Sequence, residues 1–255
     1  MAENIIIIHM KIQPLINEFK EKQFQYAFYF KSKDQPPVLA ANADRFPAAS
    51  IIKVPLLLAW AHLERRGELH RSEICDLDGE IQVKGAGFSW LLAQRKLPYQ
   101  DVLLMMISLS DNLCTNLVIA RIGLERAARV IREDLGLPNT QLQRKLMDYE
   151  ARSRGLDNWI NPRDCVRFFE LFEALTPQEK AWIEPMLLSN QDDILLKRNI
   201  PRDTLDFYHK TGSITGVLHD WGYTRDCSIF LLTSGIKDEP AAFEMFGKAG
   251  QLLIQ

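Results

Sequence analysis

Ser50 and Lys53 stand three residues apart, in a segment where they could act as a nucleophile and its base. Residues at this spacing share one face of a helix, so the lysine amine can approach the serine hydroxyl. A serine hydroxyl needs a neighbouring base to remove its proton, and a lysine can do so when burial lowers its pKa. The apolar residues from Ile51 to Leu56 supply that setting, and the first turn of a helix offers N–H groups to an oxyanion.

The same spacing occurs again at Ser234 and Lys237, so the four-residue pattern alone is a weak signal. The second pair comes at the end of a predicted strand and contains Gly235, and its two side chains therefore need not share a face. We interpret this second pair as a coincidence. The case for Ser50 then depends on other residues.

Two further polar clusters follow, and each has a plain structural interpretation. Ser110-Asp111-Asn112 is typical of a helix N-cap, because all three side chains can accept a hydrogen bond from a backbone N–H. Lys210-Thr211-Gly212-Ser213 is typical of a strand that ends at a turn glycine. The amine and two hydroxyls of the second cluster could instead bind a carboxylate, with the glycine allowing a substrate backbone to approach closely.

Taken together and in this order, the three clusters form the motif set of class A β-lactamases and penicillin-binding proteins. The sequence resembles this superfamily along most of its length, not only at the clusters. Three other segments carry the resemblance: 85–91 before the second cluster, 103–108 running into it, and 218–222 after the third.

The resemblance implies how the acylation step would run. Ser50 would attack the carbonyl carbon and become acylated, with Lys53 as a candidate base. Ser110 would pass a proton to the leaving nitrogen, with Lys53 and Lys210 on either side of it. The backbone N–H groups of Ser50 and Ser213 would form an oxyanion hole, worth roughly 3 kcal/mol of barrier per donor.

The resemblance also implies how a substrate would be held. Asn112 would bind an amide of the substrate, and Lys210, Thr211 and Ser213 would bind its carboxylate around Gly212. It implies no metal and no cofactor. In agreement, the five histidines form none of the spacings of a zinc hydrolase.

The region that should support the second half of the reaction departs from the family pattern. Class A enzymes hydrolyse the acyl-enzyme with a water activated by a glutamate in a Glu-x-x-Leu-Asn segment, and no such segment occurs here. The corresponding loop, before Pro162, also looks shorter. Its nearest carboxylates are Asp148 and Glu150. Either could stand in as the base, or be an exposed loop charge or half of an ion pair.

Three functions are therefore open from the sequence. The first is a class A-like serine β-lactamase that opens a β-lactam amide through an acyl-enzyme. The second is an enzyme of the same fold with another acyl substrate, such as a D-alanyl peptide or a small ester. The third is a covalent β-lactam-binding protein with slow turnover, which the short loop favours.

The bulk properties fit a protein that acts on a small molecule. A net charge of -2 over 255 residues gives no general attraction for nucleic acid. No apolar stretch reaches the ~20 residues of a membrane helix, and the start of the chain, with Glu3 before Ile5 to Ile8, does not match a signal peptide. We expect a cytoplasmic protein whose oligomeric state is unknown.

The cysteines form no CxxC pair and favour reduced, mostly buried thiols: Cys75, Cys114, Cys165 and Cys227.

The predicted elements change type twice along the chain. A helix (10–22) and two strands (25–30 and 38–41, around a turn at 34–37) come first. A mainly helical stretch follows from 50 to 198, with helices at 51–66, 99–108, 112–122, 124–133 and 162–174. Strands return at 207–211, 216–224 and 228–234 before a last helix at 240–253.

This order predicts an α+β fold, with an antiparallel five-stranded sheet, terminal helices packed on it in an α/β/α arrangement, and an all-helical lobe. The sheet lobe is predicted to be discontinuous, 1–45 and 200–255, and the helical lobe to span 46–199 within one compact catalytic domain. A cleft between the two lobes is the expected place for a ligand.

Overall fold

The computed structural model describes residues 2–33 and 35–254, with side chains from residue 11 onward. Five strands form one antiparallel sheet in the order β2-β1-β9-β8-β7, which confirms the predicted fold class. The strands are β1 (Gln25–Ser32), β2 (Val38–Ala41), β3 (Phe46–Pro47), β4 (Ile74–Asp76), β5 (Lys96–Pro98), β6 (Trp159–Ile160), β7 (Tyr208–Ile214), β8 (Val217–Tyr223) and β9 (Cys227–Ser234).

The helices occupy the two ends of the chain and the long segment between β3 and β7. They are α1 (Ala2–Glu21), α2 (Lys53–Arg65), α3 (Tyr99–Ser108), α4 (Asn112–Ile122), α5 (Leu124–Arg129), α6 (Tyr149–Ser153), α7 (Pro162–Glu173), α8 (Pro177–Leu188) and α9 (Glu239–Gly250). The first helix begins eight residues before its predicted start, in a segment whose side chains are outside the described set. The predicted turn at 34–37 includes Asp34, which also lies outside the described residues. No helix in the described ranges is long and apolar enough to cross a membrane.

The sheet is buried on both faces, and alternation along β1 shows how. Tyr26 and Phe28 face the terminal helices, whereas Ala27 and Tyr29 face the helical segment, because neighbouring side chains in a strand point to opposite faces. Phe19 of α1 is fully buried against the first group. Each large apolar side chain buried in this way stabilises the fold by about 1.5–3 kcal/mol.

Helix α2 runs through the middle of the helical segment and is buried on nearly all sides. A helix that is apolar all round belongs in a core, which is why its first residue, Lys53, is deeply buried too. A short 3-10 turn, Ala49–Ile52, precedes α2 and takes the place of the predicted first helical turn.

The Lys210-Thr211-Gly212-Ser213 cluster lies inside β7 and not at its end. The prediction that Gly212 is a turn residue is therefore wrong: it pairs with His219 in the middle of the β7–β8 ladder. The turn comes later, at Gly216, whose φ of 71° needs a residue without a Cβ. The division into lobes at residues 45 and 199 stays a prediction.

Candidate active site

Ser50 sits in the 3-10 turn that joins β3 to α2, at the floor of a cleft of about 690 Å³. Two hydrogen bonds fix the chain just before it. The backbone N–H of Ala48 donates to the Asn158 carbonyl (2.8 Å), and His219 Nε2 donates to the Pro47 carbonyl (2.7 Å). Burial lowers the pKa of His219 to about 4, so the imidazole is neutral at pH 7, with its proton on Nε2.

Lys53 is fully buried and directed at Ser50. Its Nζ lies 2.8 Å from Ser50 Oγ and 3.0 Å from Ser110 Oγ, and it donates to the Ser110 carbonyl (2.7 Å) and to Asn112 Oδ1 (3.2 Å). Burial, and next the charge of Lys210, place the pKa of Lys53 well below its ordinary value. This amine can therefore exchange a proton with either serine hydroxyl.

In the second cluster, Ser110-Asp111-Asn112, one residue caps a helix and the other two contact Lys53. Asp111 caps α4 by accepting from the Cys114 N–H (2.9 Å), and it also holds both the N–H and the hydroxyl of Ser89. A Cβ on Gly87 would clash with the Asp111 carboxylate, so the glycine is required there. The neighbours Ser110 and Asn112 turn the other way, to Lys53. The helix-cap interpretation therefore applies to Asp111, and the functional interpretation applies to Ser110 and Asn112.

The third cluster forms the wall beside Ser50. Lys210 is fully buried, donates to the Thr211 carbonyl (2.8 Å) and has a pKa lowered to about 8 by burial, opposed by Asp192 and Asp220. A Cβ on Gly212 would lie 3.0 Å from the Ser50 backbone nitrogen, so the missing side chain lets β7 approach the backbone of Ser50. The exposed Ser213 lines the cleft.

The backbone is strained around this cleft. Four non-glycine residues in the described part of the chain have positive φ, and Ala49 (44°), Ser110 (55°) and Met147 (62°) all line the cleft. Such conformations cost about 1–3 kcal/mol each and gather where the surrounding fold imposes a functional geometry.

The loop that faces Ser50 across the cleft, residues 144–158, is called the facing loop, and most of its charged side chains form ion pairs. Arg144 and Arg152 both pair with Asp157, at 2.6 and 3.2 Å. The structure does not bring Glu150 to Ser50, because its side chain is 83% exposed, pairs with Arg154 and is not among the residues that line the cleft. The other candidate base is Asp148, which caps α6 by accepting from the Ala151 N–H.

The second serine–lysine pair lies elsewhere in the fold. Ser234 ends β9 and donates to Gln25 Oε1 (2.8 Å) in the neighbouring strand, away from the cleft. Within the described ranges, no group of three or more His, Cys, Asp or Glu side chains is arranged to hold a metal ion. All four cysteines are free thiols, and three of them are buried.

Sequence reasoning missed two residues that shape the site. Asp192 lines the cleft and accepts a hydrogen bond from Thr211 Oγ1 (2.8 Å), yet in the sequence it reads as one of several loop charges. Asn158 anchors the facing loop, because its side chain accepts from the backbone of Gln143 and Arg144. The only signal for Asn158 was its place shortly before Pro162.

A protein-family model described as the beta-lactamase enzyme family matches residues 8–255, and the chain therefore belongs to that family. Its fold is similar to that of a beta-lactamase from Sphaerobacter thermophilus, with 23% identity, a TM-score of 0.82 and 95% of each chain covered. It is also similar to PBP-A, with 21% identity, a TM-score of 0.83 and coverage of 96% of this chain and 94% of that one. For TLA-3 extended-spectrum beta-lactamase the values are 16%, 0.81, 97% and 99%. A search of curated proteins found no match.

Proposed function

We propose that this chain is a serine acyl hydrolase of the β-lactamase type, which opens a β-lactam amide through an acyl-enzyme on Ser50. The observation that carries the proposal is the position of the buried Lys53 Nζ, within 3.0 Å of both Ser50 Oγ and Ser110 Oγ. A variant of PBP-A has been solved as an acyl-enzyme complex with penicillin G, and this fold neighbour supports β-lactams as the first substrates to test.

In the proposed acylation, neutral Lys53 accepts the Ser50 proton while Ser50 Oγ bonds to the carbonyl carbon. The N–H groups of Ser50 and Ser213 stabilise the resulting oxyanion. When the oxyanion collapses, the carbon–nitrogen bond breaks and Ser110 donates its hydroxyl proton to the leaving nitrogen. Lys53 then passes the proton taken from Ser50 to Ser110, so that the leaving nitrogen has gained one proton, Ser50 has lost one, and Lys53 and Ser110 are restored. Lys210 remains charged beside this relay, and Asn112 fixes the Lys53 amine by accepting from it.

We propose further that hydrolysis of the acyl-enzyme is slow. Two carboxylates are found among the described residues that line the cleft, and both are engaged. Asp157 holds two arginines, and Asp192 accepts from Thr211. A general base must be free to reach the attacking water, and neither group meets that condition here. A long-lived covalent complex with β-lactams is therefore the second candidate function.

One experiment separates the candidates. The protein is mixed with a chromogenic cephalosporin, and absorbance and intact mass are followed together. Steady turnover with little adduct supports the hydrolase, and a persistent adduct on Ser50 supports the slow covalent binder. The absence of both, with ester hydrolysis intact, assigns another acyl substrate.

The control is a pair of serine variants. Ser50→Ala should abolish the adduct and the turnover, whereas Ser234→Ala, in the second serine–lysine pair, should leave both at the wild-type level. Full activity in Ser50→Ala would overturn the assignment.

A further inference from the structure

Asp192 places a carboxylate at the end of the cleft that is otherwise built to bind an anion. Thr211 Oγ1 donates to Asp192 Oδ2 at 2.8 Å, and the same carboxylate raises the pKa of Lys210 against the effect of burial. The hydroxyl that could hold a ligand carboxylate therefore already binds one that belongs to the protein, and the charge of that carboxylate already acts on the Lys210 ammonium.

This carboxylate is held in place by the fold. The Asp192 N–H donates to Asn190 Oδ1 (3.1 Å), and the buried Asn190 in turn donates to the His209 carbonyl on β7 (3.1 Å). Between them, the Gln191 N–H donates to the Ser108 carbonyl at the end of α3 (3.0 Å). The segment is hydrogen-bonded to β7 and to the end of α3, and Asp192 is thereby held against Thr211.

The charges near this position give a ligand anion little compensation. Of the arginines that line the cleft in the described chain, Arg144 and Arg152, both are paired with Asp157 on the facing loop. A carboxylate bound at Thr211 would meet Asp192 across hydrogen-bonding distance, and like charges in that arrangement are strongly disfavoured. An uncharged or cationic group at the same place meets no such penalty.

We propose that Asp192 determines specificity, selecting acyl substrates that carry no carboxylate beside the scissile bond. The proposal rests on acylation of Ser50 as proposed above and names the class of compound that this site prefers. In chemical terms the preferred substrate is an ester or amide with a neutral or cationic group facing β7, and β-lactams with a free carboxylate acylate the protein slowly.

The test compares benzylpenicillin with its methyl ester, which differ in this charge and in one methyl group. Acylation rate constants are measured by intact mass at pH 6.5, below the pKa of about 8 of Lys210 so that the lysine stays charged. The wild-type protein should react faster with the ester. Asp192→Asn and Asp192→Ser should each raise the ratio of the acid rate to the ester rate by about tenfold or more, as expected when a like charge is removed.

The matched control is Asp193→Asn, which removes the same charge one residue along the chain. Asp193 does not line the cleft and pairs with Lys197 and His209, so its charge does not face the ligand and the ratio should change by less than about twofold. A wild-type preference for the acid, or an unchanged ratio in both Asp192 variants, would overturn the proposal. Neither an adduct nor turnover with either compound in any variant would instead overturn the acylation proposal on which this one rests.

Discussion

On the wall that carries Ser50, two lysines are buried and Lys53 is directed at two hydroxyl groups, whereas on the facing loop the charged side chains are paired with one another near the surface. Lys53 and Lys210 are both fully buried and both have lowered pKa values. Arg144 and Asp157 keep opposite charges at 2.6 Å. Burial prepares a group to exchange a proton, and pairing fixes a group as an ion. The lysines beside Ser50 are thus suited to proton transfer, whereas the ion pairs of the facing loop stabilise the conformation of that loop.

The largest effect should come from Lys53→Met, which removes the amine and keeps a buried side chain of similar length. Acylation should slow about 10³-fold, within the range found when a general base is lost. Stopped-flow or mass-spectrometric acylation rates measure this, with Lys237→Met in the second serine–lysine pair as the control. A wild-type acylation rate in Lys53→Met would show that the buried amine takes no part in acylation, and the proposed difference between the two walls would be wrong.

Gly212→Ala tests how closely β7 must approach the nucleophile. The added methyl would lie 3.0 Å from the Ser50 nitrogen, so we expect acylation to fall by roughly tenfold or more through displacement of that N–H. Gly79→Ala, where nothing lies within 4 Å of the new Cβ, is the matched control. A Gly212→Ala protein with normal rates would show that the Ser50 N–H has no part in the reaction.

The pH dependence distinguishes the two buried lysines. Lys53 acts when neutral, and its lowered pKa makes a neutral fraction available below the ordinary range of lysine. Lys210 is charged below its pKa of about 8 and loses that charge as the pH rises. Acylation should therefore decline above about pH 8, and Lys210→Arg, which cannot lose its charge in this range, should abolish the decline. A decline that persists in the arginine variant would exclude Lys210 as its source.

Asp157→Asn tests the structural role of the facing loop. The carboxylate holds Arg144 and Arg152 in a partly buried cluster, so its loss should lower the free energy of unfolding by about 3 kcal/mol. Urea denaturation measures the change. An unaltered midpoint would mean that the loop does not depend on this ion pair.

The smallest effect is expected from Glu150→Gln. The side chain is exposed and pairs with Arg154 alone, so unfolding should change by no more than about 0.5 kcal/mol and the lifetime of the acyl-enzyme by less than about twofold. Intact mass after removal of free ligand measures that lifetime. A marked lengthening would restore Glu150 as the base that activates water.

The sequence predicted the sheet and most helices because their signals are local. Helix α8, which was not predicted, also has a local start signal, since Thr176 and Glu179 form a capping box. The pair Phe46–Pro47 and Trp159–Ile160 had no such signal, because two-residue strands show no period and form through contacts between distant segments. Long, periodic elements are thus read from sequence more reliably than those that tertiary contacts impose.

The same distinction applies to the site. Ser50, Lys53, Ser110 and Lys210 were found from a motif order, and the structure brings Lys53 into contact with both serines. Asp192 has no motif around it. Its N–H donates to the Asn190 side chain, which in turn donates to the His209 carbonyl in a strand that comes later in the chain. A carboxylate in a polar run gives no sign that its side chain accepts a hydrogen bond from a threonine of a distant strand.

The link between the facing loop and the chain before Ser50 affects how the cleft can open. Pro47 pairs with Trp159, and the Ala48 N–H donates to the Asn158 carbonyl. The loop cannot swing outward as a lid without pulling Ser50 away from Lys53. Gentle heating that frees the loop should therefore displace Ser50 from Lys53 before the core melts.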